Sequence, residues 1–434
     1  MPPTQFYPKA QVPPEKFVGR ISELYTIFDQ INNRGHSAIY GSSGMGKTSL
    51  LEYIKSPLFW EEKGLNFSEA LIVYHNCEGS FTPNSFWQEV LKELRNEAES
   101  DTDLQNKIDE LLDKLLKEET IEIRDIRQIL RHIGKKDKFL LLLLDDYHGI
   151  LGTQEDYINN LKKSREMQTF LSGLRNLAVH STEGQYFSTV VAAFRKLDEL
   201  GPELPRGGSP WYNHYLYVDL KPFSPEDIDN YFFNSENFLI SIPDNIQKET
   251  VLEMTGGYPI LLQHAGYIFS QSEQNIDINT FKARFKNQTE QIFKNIWRDL
   301  TVDEQNLLLC IVIDNLNGEV SGKRYSVDGI DKVFERNRYT LTTLQQKGVI
   351  YKIQEQDKYN FSSSLMQDLV VQKFDEKISD PREDKILFEK FGIKLTEKQA
   401  KVVKKNVPFF VKIGGNFVKM ISGINPFNKS EEKE

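Results

Sequence analysis

The chain has 434 residues, enough for roughly two to four domains, with 39% hydrophobic and 12% aromatic residues to build their cores. Its formal net charge of −9 excludes a global basic field that would draw nucleic acid, while leaving room for a local basic face. The two cysteines, Cys77 and Cys310, form no metal or redox spacing and suit a reducing cytosol. The N-terminus lacks a basic region followed by an apolar core, and the longest apolar run, residues 139–144, is far too short to span a bilayer.

Residues 1–16 are Pro-rich and polar and read as an extended arm. Phe17, Val18, Gly19 and Arg20 follow, leading into a helix in which Leu24, Ile27, Phe28 and Ile31 recur at helical spacing. The stretch from Ser37 to Leu50 then reads as a buried strand, a glycine-rich loop and a helix start. Gly41, Gly46, Lys47 and Thr48 fill the G-x-x-x-x-G-K-[ST] pattern, with Ser42, Ser43, Gly44 and Met45 between the glycines and Ser49 after them. Glycines let backbone N–H groups turn inward as an anion nest, and the helix N-terminus adds partial positive charge for a polyphosphate. Lys47 can reach the β- and γ-phosphates, and the Thr48 hydroxyl can ligate Mg²⁺.

A second strand is expected at residues 70–75. Thr82 and Pro83 read as N-cap and first residue of the next helix. Residues from about 95 to 135 read as a charged helical insertion. The continuous apolar run 139–144 predicts a strand buried on both faces, as in a parallel sheet, and Asp145 and Asp146 stand at its C-terminal end, where such sheets bind ligands. Asp145 is the expected Mg²⁺ partner, directly or through water, and Asp146 the group that orients or deprotonates the attacking water. Further on, an amphipathic helix carries Arg175, which reads either as a surface residue or as an arginine finger acting in trans. A strand over 188–195 carries Arg195 at its exit, either a phosphate sensor or a surface arginine. A fifth strand is expected at 215–220. Five strands alternating with helices predict a doubly wound α/β domain over residues 17–222.

Ser224, Pro225, Glu226 and Asp227 open a helical region, 223–295, interrupted by a Gly256-Gly257-Tyr258-Pro259 turn. Residues 296–378 predict three helices and a hairpin, the pattern of a winged helix, with the first helix opened by a Thr301/Glu304 capping box, the second capped by Ser326 and the third over 340–346. Arg336, Arg338, Thr340, Thr342, Thr343, Gln345 and Lys347 could meet DNA from it; the alternative is an internal packing module. In the tail, 379–434, the apolar residues of 409–424 recur at helical spacing and fit a membrane surface, a partner's groove or the protein's own body.

The order of these motifs resembles that of STAND-type P-loop ATPases, which are related to AAA+ and archaeal ATPases. Phe17-Val18-Gly19-Arg20 with Glu23 and Leu24 resembles their "hhGRExE" box, which helps hold adenine, although Ile21 replaces its first glutamate. Residues 141–146 resemble their Walker B strand, Phe194-Arg195 falls where their sensor 1 arginine lies, and Gly257-Tyr258-Pro259 resembles the G-x-P motif of their helical lid. The resemblance covers roughly residues 17–375 and implies Pro259 as a nucleotide contact. No repeat array follows, and the winged helix lacks a Met-His-Asp box. The resemblance implies a switch that binds ATP/ADP and Mg²⁺, hydrolyses slowly and assembles with itself or a protein partner, in a prokaryotic defence or signalling setting. Origin-recognition and transposition-regulator ATPases share such a core, so a DNA-handling AAA+-type ATPase is the rival reading.

Overall fold

The computed structural model describes residues 6–79, 81–157, 160–203, 209–233, 245–271, 276–320, 323–325, 327–353 and 358–378. The amphipathic residues of 409–424, Ser326 and the turn 354–357 lie outside them. The chain divides into two compact units. A sheet unit comprises the described residues of 11–42 and 46–220, and a helical unit those of 1–10, 43–45 and 221–434.

In the sheet unit five parallel strands, β1 (His36–Tyr40), β2 (Ala70–Asn76), β3 (Phe139–Asp145), β4 (Phe187–Ala193) and β5 (Tyr215–Asp219), lie in the order β2-β3-β4-β1-β5. Every residue of β3 and β4 is buried, as their unbroken apolar runs require. Successive side chains point to opposite faces. Ala38, Leu71, Val73, Leu140, Leu142 and Val191 pack into one apolar cluster with α4 (Pro83–Glu97), α5 (Thr102–Leu116), α6 (Ile123–Gly134) and α8 (Leu161–Arg175). The alternate residues Ile39, Ile72, Leu141, Leu143 and Val190 are buried outside that cluster, and α1 (Ile21–Asn32) and α2 (Lys47–Lys55) pack on the sheet. The sheet is therefore covered on both faces, the doubly wound arrangement its pattern predicts. A short α3 (Pro57–Lys63) follows α2, and a one-turn α7 (His148–Leu151) follows β3.

Local signals set the helix ends. Thr82 and Ser85 form a reciprocal capping box, with Pro83 in the first helical position of α4. Helices α5 and α6 occupy the stretch 95–135; Arg127 and Arg131 of α6 both reach Glu183, just before β4.

In the helical unit, Ser224 caps α9 (Pro225–Ile228) in a box with Asp227. Helices α10 (Asn245–Thr255), α11 (Pro259–Ser270), α12 (Ile278–Asp299) and α13 (Val302–Asn315) follow, then the pair β6 (Glu319–Val320) and β7 (Lys323–Arg324), then α14 (Ile330–Arg336) and α15 (Arg338–Gln346). The hairpin β8 (Ile350–Ile353) and β9 (Lys358–Phe361) precedes α16 (Ser364–Ile378). Thr301 and Glu304 form their capping box. Helix α15 starts at Arg338, two residues before its expected start, and α16 is a helix beyond the expected three and their hairpin; its Leu365, Leu369 and Val370 are buried. Lys347 corrects the set of DNA-facing residues: it is 8% exposed and its Nζ is bound to the buried Glu304 at 2.5 Å, so it is not available to a ligand.

Gly256 and Gly257 have φ of +56° and +79°, and a Cβ on them would come 2.6 Å from the Ser362 carbonyl oxygen and 2.3 Å from that of Phe223. Only glycine fits this junction. Tyr258 closes it by donating its hydroxyl to the Lys347 carbonyl at 2.9 Å. On α11, Gln263 accepts the Tyr7 N–H at 2.8 Å, so described arm residues pack on this helix.

Candidate nucleotide and hydrolysis site

The phosphate loop leaves β1 at Tyr40 and enters α2 at Lys47. Gly44 and Gly46 have φ of +82° and +87°, and Gly46 is the left-handed N-cap of α2. Gly41 is constrained differently, since a Cβ there would lie 2.7 Å from the Leu220 carbonyl oxygen. The Lys47 side chain is buried and curls back over the loop, donating to the carbonyls of Gly41 at 2.8 Å and Ser42 at 3.2 Å. Thr48 is the second residue of α2. The Ser49 hydroxyl accepts the N–H of Val12 at 3.2 Å.

Asp145 ends β3, 1% exposed. Its Oδ2 accepts the Tyr74 hydroxyl at 2.9 Å and its Oδ1 accepts the Asp146 N–H at 3.0 Å. It has no cationic side chain paired with it among the described residues. A buried carboxylate with spare lone pairs and no cation is a donor set that fits a hard divalent ion such as Mg²⁺.

Asp146 adopts a left-handed φ of +46°, unusual outside glycine. Burial, then the neighbouring Asp145 charge, push its carboxyl up to about 6, with Lys47 opposing. The Asn76 side chain also opposes the rise, and its Oδ1 accepts the Glu78 N–H at 2.7 Å. His148 stands beside it, with Nδ1 4.0 Å from the Asp146 Oδ1 and its ring edge-on to Phe194 at 4.6 Å. Burial, then Lys47, hold the imidazole down at about 4. Arg195 follows β4 by two residues, its guanidinium carbon 5.0 Å from the Phe194 ring.

The structure thus gathers Gly41, Ser42, Lys47, Asp145, Asp146 and the Phe194–Arg195 turn at one end of the sheet. Arg175 does not join them. It lies beside His180 and acts electrostatically on His214, which adjoins the opposite, N-terminal end of β5. Gly19 and Arg20 are both left-handed, at φ of +73° and +60°, and the Arg20 guanidinium binds Glu23 at 3.1 Å. Ile21 is 66% exposed.

Gly44 and Met45 belong with Pro259 to the helical unit. Pro259 is the first residue of α11, and the next N–H, that of Ile260, donates to the Gly44 carbonyl at 3.2 Å. The Met45 side chain is 1% exposed and its methyl would lie 3.4 Å from a Cβ on Gly348, so Met45 offers a ligand only its backbone.

Tyr74, Asn76 and His148 were not read from the sequence as site residues. Their signal was spacing: Tyr74 and Asn76 end the strand that pairs with β3, Asn76 opposite Asp145, and His148 starts the turn of helix after Asp145 and Asp146.

Comparison with known proteins bears on the fold. Residues 30–183 match the AAA domain family. The fold is similar to that of a Walker-type ATPase of Pyrococcus abyssi, at 16% identity and a TM-score of 0.52, over 85% of this chain and 100% of that chain. The ORC2 protein of Aeropyrum pernix in its ADPNP–ADP complexes aligns over 84% of this chain and 96% of that one, at 11% identity and a TM-score of 0.40. Drosophila ORC bound to DNA aligns over 84% and 90%, at 14% identity and a TM-score of 0.36. No curated protein sequence matches the chain. Among the described residues, no helix is long and apolar enough to cross a membrane. The match over residues 30–183 and the filled phosphate-loop pattern make the protein a P-loop ATPase.

Proposed function

We propose that the protein is a slow ATP-operated switch of the STAND kind, whose bound nucleotide sets its association with itself or a protein partner. One observation carries this reading: the order of motifs along the chain, from the phosphate loop at 41–48 through Asp145, Asp146 and Arg195 to Gly257-Tyr258-Pro259. Such a switch requires that the nucleotide bind its two states with different affinity.

In this reading residues 17–222 are the ATPase domain, 223–295 a lid and 296–378 a winged helix. Gly41, Ser42, Gly44, Met45, Gly46 and Ser49 present backbone N–H groups to the phosphates, and Lys47 exchanges its carbonyl partners for phosphate oxygens. Gly19 and Arg20 flank the nucleoside. Thr48 and Asp145 hold Mg²⁺, which when bound neutralises charge on the β- and γ-phosphates. Asp146 orients water. The water oxygen bonds to the γ-phosphorus as the bond to the β,γ-bridging oxygen breaks. ADP leaves with that electron pair, and the water proton passes to the Asp146 carboxylate. Arg195 reads the γ-phosphate.

The test is sedimentation of the protein with ADP and with a non-hydrolysable ATP analogue. We expect a larger species with the analogue, lost in Lys47→Ala together with nucleotide binding. Assembly indifferent to nucleotide, or intact in Lys47→Ala, would refute the switch.

A DNA-handling ATPase is the second reading, favoured by the exposure of Arg336, Arg338, Tyr339 and Thr342 on α14 and α15. Duplex binding at low salt that disappears in Arg336→Ala/Arg338→Ala would select it.

A further inference from the structure

The hydrolysis site contains a polar atom that the mechanism has not used. The Nδ1 of His148 is buried and has no hydrogen-bond partner among the described residues, an arrangement native proteins seldom keep without a reason. The Asp146 Oδ1 lies 4.0 Å from it, too far for a direct hydrogen bond. Two groups that each bond one water at about 2.8 Å stand about 4.0–4.6 Å apart when the bonds meet at about 90–110°. The gap is that of a shared water.

Both sides of the gap are held. The His148 ring is fixed edge-on against Phe194 at 4.6 Å, and His148 opens α7, whose one turn closes with the Gly152 N–H on the His148 carbonyl at 2.8 Å. On the other side, the left-handed turn at Asp146 and the Gly149 N–H on its backbone carbonyl at 2.7 Å hold the backbone that carries the carboxylate. Strained non-glycine conformations of this kind cluster at functional sites.

We propose that His148 is a positioning residue for ATP hydrolysis, its Nδ1 and the Asp146 carboxylate together holding the attacking water. This rests on the role given to Asp146 above. Asp146 receives the proton in the same step, and His148 fixes the second direction of the water's hydrogen bonds, so that the oxygen lone pair keeps one line of attack. Ordering of this kind changes turnover and leaves nucleotide affinity alone.

Three variants test it in the full chain. His148→Phe keeps the ring against Phe194 and removes the nitrogen. His148→Asn places a polar atom where Nδ1 stands, and His148→Gln places one farther out. We expect kcat for ATP to fall about tenfold or more in His148→Phe and His148→Gln, to return to within about threefold of wild type in His148→Asn, and KM to stay within about twofold throughout. If His148→Phe does not fold, the Asn and Gln variants decide alone: equal activity overturns the proposal. It is also overturned if His148→Phe turns over at the wild-type rate, or if KM rises in step with the loss of kcat. Asp146→Asn separates the two readings. Loss of turnover there with none in His148→Phe sinks only the role of His148, whereas full turnover in Asp146→Asn sinks the reading on which it rests.

Discussion

The hydroxyl of Tyr74 on β2 donates to the carboxylate of Asp145 at the end of β3, at 2.9 Å, across two strands paired in parallel. It joins the metal-binding candidate to the neighbouring strand by a charge-assisted bond inside the sheet unit. Tyr74→Phe keeps the ring and removes that donor from a buried carboxylate. We expect a stability loss of about 1–3 kcal/mol, read by urea unfolding, and a changed Mg²⁺ dependence of turnover. Unfolding at the wild-type midpoint would show that the bond contributes nothing net.

Gly44 tests the packing of its backbone against Ile260. A Cβ there would lie 2.4 Å from the Ile260 Cγ2, and φ is +82°. Gly44→Ala is expected to destabilise by about 1–2 kcal/mol from the backbone conformation alone, with the clash adding to it. Adding Ile260→Ala should recover the clash and not the backbone cost. A double-mutant cycle of thermal unfolding measures the difference, and strict additivity would count against the contact.

Glu183 is buried under Arg131 and Arg127, with the Arg127 Nε at 2.9 Å. The Arg131 hydrogen bond, then that of Arg127, hold its carboxyl down at about 2, against an ordinary value of 4.5. Its stabilising contribution is therefore complete above about pH 4.5 and disappears as pH falls through about 2. Glu183→Gln should lower the melting temperature at neutral pH and flatten the acid limb of the stability curve in that window. Parallel curves for the two proteins would contradict the assignment.

Asp146 has the opposite sign. Its carboxyl is raised from 3.8 to about 6 in the folded protein. The folded state then binds more protons than the unfolded state between these values, so this residue's contribution to stability declines as pH rises through the window and its full cost remains above about pH 6. Asp146→Asn should raise the melting temperature of the nucleotide-free protein at pH 7 while abolishing hydrolysis. A lower melting temperature would show that the carboxylate is better compensated than its surroundings indicate.

Local chemistry written into the chain determined a great deal. Residues 41–48 carry their own geometry, because glycines at left-handed positions and a helix start make an anion nest wherever they fold. The unbroken apolar run of β3 could only be a strand covered on both faces, and the capping boxes at Thr82, Ser224 and Thr301 mark helix starts through bonds spanning three residues. What tertiary structure decided involves partners distant in sequence. Tyr74 meets Asp145 only through the parallel register of β2 and β3, 71 residues apart in the chain. Lys347, an apparent surface cation, is buried because Glu304, 43 residues earlier, sits beneath it. His148 has meaning only once Phe194 walls its ring and the left-handed turn at Asp146 aims the carboxylate beside it. Periodicity and capping act over a helical turn and can be read from the chain. Strand register and the pairing of buried charges are set by the whole core, so the residues that complete the site appear only in the fold.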